Sequence, residues 1–259
     1  MKVIKEKLAV QLYTLREACQ IDFYQVLREL KAMGWAGVQL AGYHGHDPVK
    51  LAEYIRQLDL QVAGMHVSLV QITEELDRLV NEAKLFGTRD LICPSLPPEY
   101  RTVDGFREAR AQLNRAAEKV KEKGIRISYH NHAFEFEERV NGQYALQYML
   151  EPIENNLVLA ELDVYWLKKG GQVIESFLAP YANRMPIIHL KDMTADDRQA
   201  FAPIGSGSIA FEPILQWGEQ NGIEWYVVEQ DQCDGDPMAS VASSYHYLMS
   251  LIDKMEAKC

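Results

Sequence analysis

Eight short apolar runs alternate with helix-like stretches along the 259-residue chain, and this alternation limits the folds that the chain can adopt. Strands that alternate with helices predict a parallel sheet, because each parallel connection needs a crossover long enough for a helix. Eight such units in about 250 residues are typical of a closed (β/α)8 TIM barrel. We therefore predict a single α/β domain over residues 1–259, with strands at 7–13, 37–41, 61–67, 89–93, 125–131, 157–163, 186–191 and 225–230.

Helix signals between the runs agree with this alternation. The stretch from Asp22 to Met33 opens with an acidic cap, repeats apolar residues every three or four positions and ends before Gly34, as expected for an amphipathic helix. An open doubly wound sheet is the alternative fold, but the segment after the first run, YTLREACQID, has no GxGxxG turn. Further helices are predicted at 48–58, 73–86 with Thr73 as its cap, 103–123, 143–151, 171–179, 211–221 and 238–256.

Charge and hydropathy limit the partners. Lys and Arg number 27 against 37 Asp and Glu, a net charge of −10, which disfavours nucleic acid because phosphate binding needs clustered basic residues. No apolar run reaches the roughly 20 residues that cross a membrane, and the start MKVIKEKLAVQLY lacks a leader pattern. The four scattered cysteines predict free thiols. We expect a cytoplasmic protein that binds a small carbohydrate rather than nucleic acid or a membrane. The sequence is compatible with a homo-oligomer and does not determine the oligomeric state.

Polar side chains stand at the ends of the last four runs. These runs, IRISYHNH, NLVLAELD, PIIHLKD and EWYVVEQD, carry His130, Asp163, His189 and Glu229. In a barrel the carboxyl ends of all strands meet at one mouth, where active sites lie. Two imidazoles and two carboxylates suit a divalent ion such as Mn²⁺, Co²⁺, Fe²⁺ or Zn²⁺. We therefore predict one metal site, although any one of these residues alone would more simply cap a helix or satisfy a loop amide.

The alternation of side chains along a strand divides the fifth run into two faces. His130 and His132 share one face and Tyr129 belongs to the other, so both imidazoles are predicted to point into the mouth. His132 and Glu229 are candidates for removing or returning a substrate proton, a role that requires reach and a suitable pKa.

Five further side chains are candidates for substrate contact. His66 ends the third run and His44 lies in the loop AGYHGHD, and a structural role is the alternative for each. Trp166 offers an apolar wall for a sugar ring, although such an aromatic also suits a core or a lid. Lys191 offers a cation to an anionic oxygen or forms a structural ion pair, and Arg198 in TADDRQA is otherwise a solvated charge.

Eight segments together resemble the sugar isomerases and epimerases with a xylose isomerase-like barrel, a fold related to that of endonuclease IV. The segments span almost the whole chain and read AVQLYTLRE, GWAGVQLAGYHG, GMHVS, SYHNHAFEF, LDVYWLKKGG, IIHLKDM, IGSGSIAFEPIL and VVEQD. The resemblance implies a metal held by one residue from each of the last four strands, which maps onto His130, Asp163, His189 and Glu229.

The fifth strand departs from the family pattern. Many members carry a glutamate where this chain has His130, and Glu135 is the nearby substitute, on the opposite face of a regular strand. Relatives similar to inosose dehydratase have a comparable His-x-His pattern, which favours His130 as the ligand.

The resemblance implies a divalent-metal-dependent isomerase or epimerase that moves a proton on a sugar or keto-sugar through a metal-stabilised enediolate. Loss of a β-substituent from the same intermediate would instead make the protein a dehydratase or lyase that acts on a keto-inositol or a 3-keto-glycoside. A non-catalytic sugar-binding barrel or partner subunit is the alternative from another class. The net charge of −10 argues against the DNA-repair activity of the endonuclease IV relatives.

Overall fold

The structure, a computed structural model, describes residues 4–258. Eight parallel strands form a closed barrel in which each strand lies beside its sequence neighbours and the last pairs with the first. The predicted TIM barrel is thus confirmed, and each strand bound agrees with its prediction within two residues. The strands are Leu8–Gln11 (β1), Gly37–Leu40 (β2), Gln61–His66 (β3), Asp90–Cys93 (β4), Arg126–His130 (β5), Leu159–Asp163 (β6), Ile187–Leu190 (β7) and Trp225–Val228 (β8).

Helices and short ribbons fill the connections. The α-helices are Arg16–Met33 (α1), Pro48–Gln57 (α2), Leu69–Glu74 (α3), Leu76–Phe86 (α4), Val103–Val120 (α5), Ala145–Met149 (α6), Val164–Lys169 (α7), Ile174–Leu178 (α8), Phe211–Gln220 (α9) and Pro237–Glu256 (α10). Turns of 3-10 helix lie at Ile4–Lys7, Leu12–Leu15, Pro98–Tyr100, Lys121–Lys123, Phe134–Phe136 and Ala179–Tyr181. Two-residue strands pair antiparallel at Arg139–Val140 with Gln143–Tyr144 and at Asp192–Met193 with Phe201–Ala202. The chain forms two compact units, residues 4–63 with 187–258 and residues 64–186, and the single domain stays a prediction.

The first unit contains β1, β2, β7 and β8. β1 pairs in parallel with both β2 and β8, and β8 pairs with β7. Helix α1 starts at Arg16, earlier than predicted, and is kinked at Asp22, whose backbone has φ −151° and ψ 90°. The Asp22 carboxylate accepts a hydrogen bond from Gln25 N at 2.9 Å. The predicted cap is therefore present, but it begins the second segment of a longer helix.

The second unit contains β4, β5, β6 and the end of β3, paired in parallel. Thr73 was predicted to cap a helix, and this is wrong: Thr73 lies inside α3 and its hydroxyl donates to Val70 O at 2.9 Å. Ser68 caps α3 instead, in a capping box with Gln71. Helix α7 had not been predicted, and it begins directly after Asp163.

Cys19, Cys93 and Cys233 are free thiols, as predicted, and Cys259 lies outside the described residues. Among residues 4–258, no helix combines the length and the apolar composition that a membrane span requires.

Candidate metal centre

Glu161 joins two histidines in the second unit. Its Oε1 lies 2.7 Å from His66 Nε2 and 3.2 Å from His130 Nδ1. Glu161 is fully buried and His130 is 2% exposed, so the carboxylate needs these partners to offset its loss of water. When His130 Nδ1–H donates to Glu161, the lone pair is on Nε2, which lies 3.8 Å from Asp163 Oδ2. Glu161 is not among the site residues predicted from the sequence, although its place two residues before Asp163 puts both on one face of β6.

Asp163 ends β6 and caps helix α7. Its Oδ1 accepts hydrogen bonds from Tyr165 N at 2.9 Å and Trp166 N at 3.1 Å. Its own backbone N–H donates to Asn131 Oδ1 at 2.9 Å, which links it to the loop after β5. These bonds fix the carboxylate, and its other oxygen is the one that faces His130. Strand end and helix cap therefore together orient this predicted ligand.

His189 in the first unit is held through one ring nitrogen. Gln39 Oε1 accepts a hydrogen bond from Gln11 Nε2 at 2.6 Å and lies 2.7 Å from His189 Nε2. Because this oxygen accepts, His189 Nε2 carries the hydrogen and donates it. The lone pair is then on Nδ1, 3.0 Å from Glu229 Oε2. All four side chains are buried. Gln11 and Gln39 were not predicted as site residues. The sequence signal that could have found them is a glutamine inside an otherwise apolar strand.

Lys191 forms a buried ion-pair chain with two carboxylates. Its Nζ lies 2.9 Å from Glu229 Oε2 and 2.7 Å from Asp231 Oδ1, and only 2% of its side chain is exposed. Burial raises the pKa of Asp231, and the nearby Lys191 ammonium opposes that rise. The geometry matches the structural ion pair weighed from the sequence, and substrate contact by Lys191 stays a prediction.

Two sets of four side chains each provide one ligand atom per residue within 4.8 Å of the others, namely His130, Asp163, His189 and Glu229, and His66, His130, Glu161 and His189. The first is the predicted set, and all its members are buried. The chain therefore contains a candidate metal-binding site of His, Asp and Glu residues. Two imidazole nitrogens and two carboxylates fit a divalent ion.

Glu135 belongs to neither set among the described residues. Its Oε1 accepts a hydrogen bond from the Tyr129 hydroxyl at 2.7 Å, and its Oε2 accepts one from His132 N at 2.9 Å. Burial raises the pKa of Glu135 to about 7. Its contact with Tyr129 agrees with the face opposite His130, which supports His130 as the fifth-strand ligand.

His132 is held by aromatic rings. Its ring centroid lies 5.4 Å from that of His130, 5.8 Å from that of Phe134 and 5.1 Å from that of Trp166. The Phe134 ring is stacked on it, with an interplanar angle of 22°. Trp166 therefore packs against the predicted acid-base residue.

Two of the predicted substrate contacts lie in loops of the first unit. His44 has a left-handed backbone with φ 48° and packs against Phe23 at 5.7 Å between ring centroids. Burial, together with the neighbouring His46, lowers the pKa of His44. Arg198 is 74% exposed along its side chain and pairs with Asp196. Substrate contact by His44 and Arg198 stays a prediction, and the geometry of Arg198 is that of a solvated ion pair.

Comparisons with known proteins identify similar sequences and similar folds. A family model described as a xylose isomerase-like TIM barrel matches residues 27–249. The inosose dehydratase of Clostridium beijerinckii is 29% identical over 88% of this chain and 86% of its own length. The inosose dehydratase of Geobacillus kaustophilus is 26% identical over 86% of this chain and 83% of its own. A sugar phosphate isomerase/epimerase structure from Parabacteroides distasonis has a TM-score of 0.81 and 22% identity over 95% of this chain and 94% of that chain, a likeness that shows the fold.

Proposed function

Because the chain belongs to the family of xylose isomerase-like TIM barrels, we propose that it is a metal-dependent dehydratase that eliminates water from a polyhydroxylated ketone of the keto-inositol type. Similar proteins named inosose dehydratase support elimination. The isomerase or epimerase activity expected first is unconfirmed, and the dehydratase alternative has the better support. The proposed partner is a small carbohydrate, with no nucleic acid or membrane partner.

The orientation of both ligand imidazoles supports a metal in the site. Metal-binding histidines usually donate their second ring N–H to a carboxylate or carbonyl oxygen. His130 has Glu161 in that position and His189 has Gln39. The residues proposed to hold the ion are His130, Asp163, His189 and Glu229. A bound divalent ion would supply Lewis acidity that polarises the ketone and acidifies the adjacent C–H bond.

The observation that carries the elimination reaction is that two other imidazoles flank His130. The His66 ring centroid lies 5.3 Å from that of His130, and the His132 centroid lies 5.4 Å from it. Loss of water from a ketone needs a base for the proton beside the carbonyl and an acid for the departing hydroxyl. We assign the base to His132. His66, bonded to Glu161, is assigned to protonate the leaving oxygen.

Glu229 was a second candidate for proton transfer. Its Oε2 is engaged by both Lys191 and His189, which favours a role as metal ligand. Lys191 and Asp231 would then hold Glu229 in place while His132 moves the proton.

The test combines metal analysis with turnover in D₂O. Metal-loaded protein is incubated with a keto-inositol, and the reaction is followed by NMR and by ultraviolet absorbance. We expect a product that has lost one water, with solvent deuterium at carbons beside the carbonyl. Accumulation of an epimer or isomer without water loss would favour the isomerase class. Ligand binding without deuterium exchange would indicate a non-catalytic barrel.

A further inference from the structure

Glu135 is a buried carboxyl that the proposed mechanism does not use. It lies in the 3-10 turn Phe134–Phe136, just beyond β5, and is 0% exposed. Its two oxygens accept hydrogen bonds from different places, the Tyr129 hydroxyl and the His132 backbone N–H. A buried carboxyl with both oxygens bonded fixes the groups that it joins, because releasing either donor would cost it a buried hydrogen bond.

The groups that face Glu135 come from three elements. Tyr129 lies on β5, Cys93 lies on β4 and Arg101 lies before α5, and each interacts electrostatically with the carboxyl. Burial raises the pKa of Glu135 to about 7, while the Tyr129 hydrogen bond and the Arg101 charge oppose that rise. Burial also raises the pKa of Cys93 to about 12, so the thiol stays protonated.

The turn that carries Glu135 also holds the imidazole of His132. Phe134 stacks on the His132 ring, and the Arg101 guanidinium lies over Phe134 at 3.9 Å from the ring centroid. Trp166 packs against His132 as well. Glu135 thus fixes the backbone of His132, while Phe134, the residue before Glu135, fixes its ring.

We propose that Glu135 is a positioning residue that orients His132 for proton transfer by anchoring its backbone N–H to Tyr129 and β5. This role rests on the proposed function, in which His132 removes the proton. Glu135 makes no contact with substrate in this role and binds no metal. It differs from the ligand role that the family pattern would suggest for a glutamate near this strand.

A double-mutant cycle tests the role. Glu135→Ala should lower kcat by about tenfold to a hundredfold, with KM and metal content unchanged. Glu135→Gln should recover most of the loss, because its amide oxygen can accept from His132 N–H while its NH₂ donates to the Tyr129 oxygen. In a His132→Ala background, Glu135→Ala should cause no further loss of kcat. An equal further loss in that background overturns the proposal, since Glu135 would then act independently of His132.

Two additional measurements keep the test decisive. If Glu135→Ala does not fold, Glu135→Asp replaces it in the same cycle, because its shorter side chain cannot span both donors. NMR of ¹⁵N-labelled protein reports on position without turnover: loss of the Glu135 bond should shift the His132 amide and ring signals and leave those of His189 in place. If the wild type shows no turnover, the proposed function fails while this NMR result still decides the positioning role. Unchanged His132 signals in the variant would refute it.

Discussion

Gln39 Oε1 lies 2.7 Å from His189 Nε2, across 150 residues of sequence, and so turns His189 Nδ1 toward Glu229. The other proposed ligand imidazole, His130, is held by a carboxylate, Glu161, rather than by an amide. A charged acceptor raises the basicity of an imidazole more than a neutral one does. The two histidines of the proposed site are therefore oriented by partners of different strength.

Replacing Gln39 by Met should weaken metal binding by about tenfold to a hundredfold, because His189 loses the acceptor that sets its tautomer. Metal affinity measured by competition with a chelating dye checks this. Gln39→Glu keeps an acceptor oxygen and is the matched control, expected to bind metal more tightly than Gln39→Met. Equal affinity in the wild type and Gln39→Met would contradict the prediction.

Asp163→Asn should abolish activity and metal binding together, because an amide oxygen is a much weaker ligand than a carboxylate. The fold should survive, since Asn caps helices as well as Asp does and can retain the bonds to Tyr165 N and Trp166 N. Asp163→Ala should also lose the cap, at a cost of about 1 kcal/mol of unfolding free energy. Urea unfolding in EDTA separates the two effects. Full activity in metal-stripped wild type would contradict the metal-dependent mechanism.

Glu135 should make stability depend on pH. Its folded pKa of about 7 exceeds the usual unfolded value of about 4.3, so the folded state binds more protons between these values. Stability attributable to this group therefore falls as pH rises through that window, by roughly 4 kcal/mol in total, and is constant above it. Glu135→Gln has no such ionisation, and its stability relative to wild type should rise from pH 5 to pH 8. Urea unfolding of both proteins at the two pH values gives the comparison, and a constant difference would count against the raised pKa.

The ion pair of Asp90 and Arg126 should affect stability and leave the metal site alone. Arg126 donates to both carboxylate oxygens, at 2.7 and 2.6 Å, and only 4% of the Asp90 side chain is exposed. Both residues begin their strands, at the end of the barrel where side chains serve stability. Asp90→Ala should cost about 2 kcal/mol, because it leaves the charge of Arg126, whose side chain is 21% exposed, without its partner. Unfolding free energy and metal affinity are measured on the same variant, and a loss of metal affinity would show that the two ends are coupled.

Features that depend on a single strand could be predicted from the sequence. The eight strands followed from apolar runs, and the face shared by His130 and His132 followed from the two-residue period of a strand. Helix starts were less reliable, because Ser and Thr are both good caps and one stretch can contain more than one of them. Thr73 was predicted as a cap, whereas Ser68 is the residue that caps α3, and α7 was not predicted, although a helix cap was the alternative role weighed for Asp163.

The family resemblance predicted the fold more reliably than it predicted the class of reaction. It first suggested isomerisation, whereas the similar inosose dehydratases favour elimination. Both reactions begin with removal of the proton beside a ketone, so one ligand set serves either. That His66 and His132 lie on either side of His130 became evident only from the structure.

By itself the sequence determined that His130, Asp163, His189 and Glu229 end apolar strands, because hydrophobic period and strand length are local properties. Only the tertiary structure decided which groups hold them. Glu161 meets His130 across 31 residues and Gln39 meets His189 across 150. Such pairs depend on the register between strands and on which buried polar groups the fold brings together, and no single segment of the sequence determines either.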